Sequence, residues 1–242
     1  MHKSITPAIL YMGTPVVLNS TVNENGSFNL APISSCIWLG WRCLLGFEAV
    51  SKTPQNILRT GECVINLPSD RQVDAINRLS LVTGSNPVPP GKTLRGYTHE
   101  QNKFERAGLT PIASETIAPP RVLECPIHLE SKLANVHRIM ADEYDYSQHE
   151  RSAECTLEGI LCLEMRITKV HAHPAVVMDE HPNRIDPNRW RPLIMSFQRY
   201  YGLGDELTKS RLATIPESQY RSPDIDRSES ECSSILCAGE LD

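Results

Sequence analysis

The strongest constraint on the fold is a hairpin pattern in the first fifth of the chain. Two runs rich in residues that favour extended structure, 16–22 and 27–33, flank Asn23-Glu24-Asn25-Gly26. Asn25 and Gly26 both tolerate positive φ angles, so the pair predicts a tight turn between two antiparallel strands. The pattern favours an antiparallel β structure for this part of the chain.

Further strands are predicted along the chain. The apolar run 43–47 fits a buried strand, and strands are expected over 127–136 and 159–171, the latter alternating apolar and polar residues as half-buried strands do. An amphipathic helix is expected over 71–81, and a polar loop over 142–154. Because strands dominate and no βαβ period appears, we predict a mainly β protein, a closed antiparallel barrel with short peripheral helices.

A second informative pattern follows the buried strand at Ser51-Lys52-Thr53-Pro54-Gln55-Asn56. Thr53 is expected to cap a short helix, with Pro54 as its first residue and Gly61 as its end. Free backbone N–H groups and the positive end of the helix dipole meet there, and Ser51, Lys52, Thr53 and Asn56 add side-chain donors. The pattern predicts an anion site, although a helix start alone more often binds nothing.

Composition excludes several classes of protein. The 242 residues can bury a sizeable core, and the net charge of −5 argues against a nucleic-acid partner. The sequence contains no apolar run near the roughly 20 residues that cross a bilayer and no apolar signal core at its start, so a cytoplasmic protein without a membrane partner is expected.

The eight cysteines lack metal-site spacing and are expected to be reduced and buried.

Several segments, in order, resemble the flavin reductase-like family of FMN-binding split barrels, which includes flavoredoxin. The resemblance covers about 15–67, with the hairpin, Asn29-Leu30-Ala31-Pro32-Ile33-Ser34-Ser35 and Ser51-Lys52-Thr53-Pro54 in sequence. It continues more loosely through 103–111, 124–130, 185–187 and 191–193. The resemblance implies an antiparallel split β-barrel of Greek-key topology.

The same resemblance implies an FMN site. The phosphate is expected at the helix start, with Ser-Lys-Thr here in place of the commoner Lys-Asp-Thr. The isoalloxazine ring is expected against the strand 29–35, and Trp38 is a stacking candidate, although aromatic residues such as Trp38, Trp41 and Phe47 are more often core. The expected cofactor-binding residues are Asn19, Ser20, Thr21, Ala31, Pro32, Ser34, Ser35, Trp38, Phe47, Ser51, Lys52, Thr53, Asn56 and Tyr201.

The activity implied by the resemblance is hydride transfer from NAD(P)H to FMN, and onward to free flavin, oxygen or a small organic acceptor. The cofactor carries this chemistry, so no catalytic side chain is assigned. The sequence has no GxGxxG fingerprint, and the nicotinamide is therefore expected to bind transiently over the flavin. A homodimer is implied, and two alternatives stay open: a module that stores or senses FMN, and a specialised metabolite-tailoring flavoenzyme.

The sequence is expected to divide into a leader segment, 1–14, an FMN-binding domain, 15–207, and a polar tail, 208–242. The tail is expected to be either disordered or held against another surface. The loop 83–102 is a candidate lid or substrate-side wall, or an ordinary excursion.

The histidines give no clear ligand set. His171, His173 and His181 do not complete a metal-site spacing, so no metal is expected. His128 and Glu130 share a strand face, where they either line a pocket or point outward.

Overall fold

The computed structural model describes residues 2–143 and 159–238, which form sixteen strands and five α-helices. The strands are β1 (Met12–Pro15), β2 (Val17–Val22), β3 (Phe28–Ile33), β4 (Cys36–Leu39), β5 (Arg42–Glu48), β6 (Glu62–Leu67), β7 (Val82–Thr83), β8 (Thr98–His99), β9 (Pro111–Ile112), β10 (Arg121–Val122), β11 (Ile127–Ile139), β12 (Ile160–Ala172), β13 (Val177–Met178), β14 (His181–Ile185), β15 (Leu193–Ser196) and β16 (Arg199–Gly202). The helices are α1 (Lys52–Thr60), α2 (Val73–Arg78), α3 (Pro90–Leu94), α4 (Lys103–Ala107) and α5 (Pro223–Ala238).

Seven strands form an antiparallel sheet in the order β3-β2-β6-β11-β12-β5-β4. Its two edge strands, β3 and β4, are consecutive in the chain and are separated by Ser34 and Ser35 alone. Two residues cannot cross the width of a flat seven-stranded sheet, because neighbouring strands lie about 4.8 Å apart. The sheet is therefore rolled, and the backbone N–H of Gly46 on β5 reaches the carbonyl of Ser35 at 2.8 Å. This arrangement agrees with the predicted antiparallel barrel.

The hairpin of β2 and β3 forms where the sequence predicts it, with Val22 opposite Phe28. The turn differs in detail, because Gly26 has a positive φ of 81° and Asn25 does not. Asn25 instead accepts hydrogen bonds through Oδ1 from the backbone N–H and the hydroxyl of Ser27. A five-residue loop closed by a side chain thus replaces the expected two-residue turn.

Two apolar clusters fill the structure. The first occupies the barrel interior and includes Leu45, Ile65 and Leu163, all fully buried. The second lies outside the barrel, where α2 and α4 pack on β2 and β3 through residues such as Ile76 and Phe104. Helix α2 is shorter than the predicted 71–81, because a 3₁₀ turn, Asp70–Gln72, precedes it and Leu79 is already its C-cap. The second cluster holds the segments after α2 close to the barrel wall.

The predicted long loop 83–102 contains the five-residue helix α3 and the two-residue strand β8. Strand β8 pairs in parallel with β7, whose last residue is the first residue of the loop. The strand predicted over 127–136 is present and extends to Ile139, and the strand predicted over 159–171 is present but shifted by one residue, at Ile160–Ala172. The predicted loop 142–154 lies mostly outside the described residues. A second sheet, β1-β15-β16, begins at Met12, so the segment expected to be a leader contributes a strand.

The polar tail contains helix α5, which packs on β12. Asp224 accepts two hydrogen bonds from the guanidinium of Arg42, and the Ser228 hydroxyl donates to the Thr168 carbonyl. Neighbouring Arg42 lowers the pKa of Asp224. Polar contacts thus hold the first part of α5 against the barrel. Of the two expectations for the tail, disorder or contact with another surface, this part shows the contact.

Five cysteines of the described residues are free thiols: Cys43, Cys63 and Cys125, which are buried, and Cys36 and Cys162, which are half-buried. The prediction for Cys155 falls outside the described residues, and so do the side chains of Cys232 and Cys237. Across 2–143 and 159–238, no helix is both long and apolar enough to cross a membrane.

Candidate functional site

A cavity of about 710 Å³ lies beside the barrel, between β3, β5 and the start of α1 on one side and the segments after α2 on the other. Met12, Met195 and Tyr200 of the second sheet close a third side. The cavity brings together eight of the fourteen expected cofactor-binding residues: Ala31, Pro32, Ser34, Ser35, Phe47, Ser51, Lys52 and Thr53.

Helix α1 begins at this cavity. Its cap residue is Ser51, in an extended conformation, and its first helical residue is Lys52. The expected cap at Thr53 and start at Pro54 are therefore wrong by two residues. Pro54 is tolerated as the third residue because the first N–H groups of a helix lack intrahelical partners. Gly61 ends the helix with φ of 73°, as predicted.

The side chain of Thr53 is used inside the protein instead of capping the helix. It is 3% exposed, and its Oγ1 accepts a hydrogen bond from Asn29 Nδ2 at 3.0 Å. The same amide nitrogen donates to Thr21 Oγ1 at 3.1 Å. The side chain of the cap residue Ser51 makes no capping bond either, so it leaves the backbone N–H groups of Lys52 and Thr53 at the positive end of the helix, where they favour negative charge.

Two buried lysines stand at the same end of the cavity, and sequence reasoning missed both. Lys92, from α3, is 8% exposed and donates to Ser51 Oγ at 2.8 Å. Lys103, at the start of α4, is 3% exposed and donates to Asn29 Oδ1 at 3.0 Å. Neither forms a salt bridge with any residue that the structure describes.

Burial acts on both ammonium groups. It lowers the pKa of Lys92, and it lowers the pKa of Lys103 to about 7 with a further contribution from the charge of Lys92. The charge of Glu48 acts in the opposite direction on Lys92, and that of Glu100 on Lys103, but neither outweighs the desolvation of the ammonium group. A bound anion would offset that penalty, so these two lysines make the helix end of the cavity a candidate anion site.

The link between β3 and β4 packs closely on β5 beside the cavity. Ser35 Oγ donates to the Gly46 carbonyl at 2.7 Å, and a Cβ at Gly46 would lie 3.0 Å from Ser35 Cβ. Glycine at position 46 therefore lets this link approach β5 closely. Among the described strands, β3 pairs with β2 alone, so backbone groups on its other edge are accessible from the cavity.

Six expected site residues do not line the cavity: Asn19, Ser20, Thr21, Trp38, Asn56 and Tyr201. Asn19, Ser20, Thr21 and Asn56 are fully buried, and Thr21 Oγ1 accepts from Asn56 Nδ2 at 3.0 Å. Thr21 thus joins two amides, Asn29 and Asn56, in a polar layer beneath the helix start. Trp38 packs on the barrel core, and the Tyr201 side chain is 51% exposed.

The neighbour of Tyr201 faces the cavity in its place. Tyr200 lines the wall, and its hydroxyl lies 3.0 Å from Ser80 Oγ. Alternation along β16 turns the adjacent side chain away. The loop 83–102 adds Tyr97 and Arg95 to the same wall, and Arg95 forms a paired contact with Glu48 at 2.5 and 2.8 Å.

His128 and Glu130 fit neither of the two expectations for them. Both are buried and neither lines the cavity. Glu130 accepts from the backbone N–H groups of Glu115 and Thr116 at 2.8 and 2.7 Å, and from His171 Nε2 at 2.8 Å. These residues tie the segment after β9 to β11 and β12.

Comparisons with known proteins agree with this architecture. A family model described as flavin reductase like domain matches residues 9–182. An uncharacterized protein of Bacillus subtilis, YdfE, is 38% identical over 208 residues, which is 86% of this chain and 92% of its own length.

Solved structures share the fold at lower identity. Flavoredoxin of Desulfovibrio vulgaris (Miyazaki F) superposes with a TM-score of 0.67 at 22% identity, covering 89% of this chain and all of its own. Nitrilotriacetate monooxygenase component B from Bacillus cereus gives a TM-score of 0.64 at 21% identity, covering 86% and 99%. The prediction of a mainly β, antiparallel split barrel is confirmed. The chain belongs to the flavin reductase-like family.

Proposed function

We propose that this protein binds FMN in the cavity, with the phosphate at the start of α1 and the ring along β3. The observation that carries the proposal is the pair of buried lysines, Lys92 and Lys103, which meet the helix N-terminus without a carboxylate partner among the described residues. Two ammonium groups, the Ser51 hydroxyl and free backbone N–H groups form a donor set suited to a phosphate dianion.

The other parts of the cavity suit a planar heterocycle. Small residues on β3 and just after it, including Ala31 and Ser34, let a ring approach the backbone, and the unpaired strand edge offers both donors and acceptors. Phe47, on β5, adds apolar surface to the cavity wall. Membership of the flavin reductase-like family and the shared fold with flavoredoxin support a flavin as the ligand.

The proposed reaction is oxidoreduction of the flavin reductase class. FMN, when bound, would accept a hydride from NAD(P)H and pass the electrons to free flavin, oxygen or a small organic acceptor. The residues of this chain hold the phosphate, fix the ring against β3 and restrict water. The cavity carboxylate Glu48 is engaged by Arg95, so we assign no catalytic acid or base.

A specialised metabolite-tailoring enzyme is a second candidate. The wall opposite β3 carries Tyr97, Tyr200 and Arg95, and the guanidinium of Arg95 lies 5.7 Å from the centre of the Tyr97 ring. This mixture of aromatic and charged groups suits an organic acceptor. A homodimer and a cytoplasmic location remain predictions.

Purified protein is expected to be yellow, with the absorption bands of oxidised flavin. Under anaerobic conditions NADH or NADPH should bleach these bands, and air should restore them, because the proposed reaction passes electrons through the bound flavin. The measurement is an anaerobic titration followed by absorbance. Bound flavin that neither nicotinamide bleaches would favour the storage module, and a protein that takes up no FMN would contradict the whole proposal.

The affinity for FMN is expected to fall as the pH rises above about 7. In the protein without bound FMN, burial lowers the pKa of Lys103 to about 7. A phosphate dianion at its Nζ would favour the ammonium form and so raise this pKa. Binding at higher pH must then take up a proton, so the dissociation constant rises by up to about tenfold per pH unit. Calorimetry in buffers of different ionisation enthalpy measures this uptake.

The matched control for this measurement is Lys103→Met, in which the pH dependence above about pH 7 should shrink. A wild-type dissociation constant that stays constant between about pH 7 and about pH 9 would contradict the role given to Lys103.

A further inference from the structure

The hairpin that joins β15 and β16 has an unusual backbone at its tip. Ser196 pairs with Arg199, so the loop consists of Phe197 and Gln198 alone. These two residues have positive φ angles, of 45° and 63°. Asparagine and glycine are the residues that normally supply this left-handed conformation in a two-residue hairpin loop. A large aromatic residue and a glutamine adopt it only under steric strain.

Contacts with a neighbouring segment fix the strained tip in place. The backbone N–H of Phe197 donates to the Tyr11 carbonyl at 2.8 Å, and Met12 on β1 pairs with Ser196. The Phe197 side chain is 48% exposed and does not line the cavity, so its own packing is a weak reason for the strain. Strained backbone of this kind is often retained where function requires a particular side-chain position.

Gln198 extends from this tip to the rim of the cavity. It is exposed, yet it lines the cavity together with Tyr11, Met12 and Tyr200. Its amide forms no side-chain hydrogen bond with any residue that the structure describes. Gln198 belongs to the second sheet, whereas the donors assigned to the phosphate come from the start of α1 and from α3 and α4. Its amide is therefore available to a molecule other than the phosphate.

We propose that Gln198 binds the carboxamide of the reduced nicotinamide that donates the hydride. This inference rests on the proposed function. A glutamine side chain and a carboxamide each offer one carbonyl oxygen and one NH₂ group, so the two can form a pair of hydrogen bonds. Tyr97 and Tyr200 line the same cavity and provide aromatic surface for the flat ring. The other amide side chain on the cavity wall, Asn77, lies on helix α2, where no unusual backbone places it.

The test is a stopped-flow measurement of the first half of the reaction. FMN-loaded protein is mixed with NADH or NADPH under anaerobic conditions, and the dependence of the bleaching rate on nicotinamide concentration gives the dissociation constant of the nicotinamide. In Gln198→Gly we expect this constant to rise about tenfold, because two neutral hydrogen bonds are lost. The FMN affinity, measured by calorimetry, should change by less than about twofold.

Phe197→Gly is the matched control. It relieves strain at the neighbouring position but removes no side chain from the cavity. Both glycine variants should raise the melting temperature by about 2–4 °C, since glycine adopts positive φ at little cost. The nicotinamide dissociation constant should change in Gln198→Gly alone. Equal losses of nicotinamide affinity in the two variants would overturn the inference, and so would unchanged melting temperatures in both, because the tip would then carry no strain.

A change in the nicotinamide itself gives a second readout. The reduced 3-acetylpyridine analogue of NADH carries a methyl ketone in place of the carboxamide, so it lacks the NH₂ group. The wild type should bind this analogue more weakly than NADH, whereas Gln198→Gly should bind the two alike. Equal affinities of the wild type for both compounds would contradict the pairing of Gln198 with a carboxamide.

The outcomes also separate this inference from the proposed function. Normal reduction of bound FMN in the wild type, with an unchanged nicotinamide dissociation constant in Gln198→Gly, would overturn the inference alone. A loss confined to FMN affinity, or to reoxidation by free flavin or oxygen, would assign Gln198 to another molecule and overturn it as well. Bound FMN that neither nicotinamide reduces would overturn the proposed reaction and the inference together, and a protein that takes up no FMN would overturn the flavin function itself.

Discussion

Replacement of both Lys92 and Lys103 by methionine is expected to weaken FMN binding by about a thousandfold. Each lysine would contribute a charge-assisted hydrogen bond to the phosphate, worth about 1.5–3 kcal/mol, and about 1.4 kcal/mol corresponds to a factor of ten. Both ammonium groups lie in buried surroundings, where solvent screens them less than it would at the surface. Calorimetric titration of the flavin-free variant with FMN measures the loss.

Riboflavin separates loss of phosphate binding from general damage. It lacks the phosphate, so its affinity should be nearly the same in the double variant and in the wild type. Methionine fills the volume of the lysine stem and places no charge in the buried site, so the barrel should stay folded. Lys209→Met, at an exposed position, is the matched control for removal of a lysine. An unchanged FMN affinity, or equal losses for FMN and riboflavin, would contradict the phosphate assignment.

The sequence predicted those parts of the fold that depend on local patterns. The hairpin, the strands on both sides of the undescribed 144–158, and the end of α1 at Gly61 all follow from turn residues and alternation. The helix start was misplaced by two residues, because Thr-Pro resembles a cap while the actual cap, Ser51, makes no side-chain capping bond. The local signal at that position is therefore weak.

The candidate site was predictable only where neighbouring residues in the sequence share one wall. Ser34 and Ser35, and likewise Ser51 and Lys52, are such groups. Lys92 lies 41 residues from Ser51 along the chain, and Lys103 lies 74 residues from Asn29. No periodic pattern connects positions so far apart. Lys92 comes from a short helix within the predicted loop 83–102, and Lys103 comes from a short helix that follows this loop.

Four of the expected residues that do not line the cavity are fully buried: Asn19, Ser20, Thr21 and Asn56. Asn19, Thr21 and Asn56 are polar residues near the helix start, so their composition suggests a ligand site. In the structure their side chains bond to one another or are enclosed by the barrel, as Asn56 Nδ2 shows by donating to Thr21 and Asn23. A sequence reveals that such residues are polar but not whether they face a ligand or each other.

Substitution of Glu130 by glutamine is expected to lower the free energy of unfolding by about 3 kcal/mol. The carboxylate is fully buried and accepts hydrogen bonds from the backbone of Glu115 and Thr116, the Thr116 hydroxyl and His171. Glutamine has one acceptor oxygen, so its NH₂ group would face N–H donors in the buried site and leave them without an acceptor. Chemical denaturation at neutral pH measures the difference, and Glu105→Gln, at an exposed carboxylate, is the control.

The pH dependence of stability gives this prediction a second, independent readout. Burial on its own raises the pKa of Glu130, but the hydrogen bonds from His171, Thr116 and the Glu115 backbone outweigh it and lower the pKa to about 2. Because the folded pKa lies below the ordinary value of 4.5, the stabilisation is fully present above about pH 4.5 and is lost as the pH falls toward 2. The fall in wild-type stability over this window should be shallower in Glu130→Gln, which has no carboxylate to protonate there. Parallel curves for the two proteins would show that Glu130 is not the group whose ionisation stabilises the barrel.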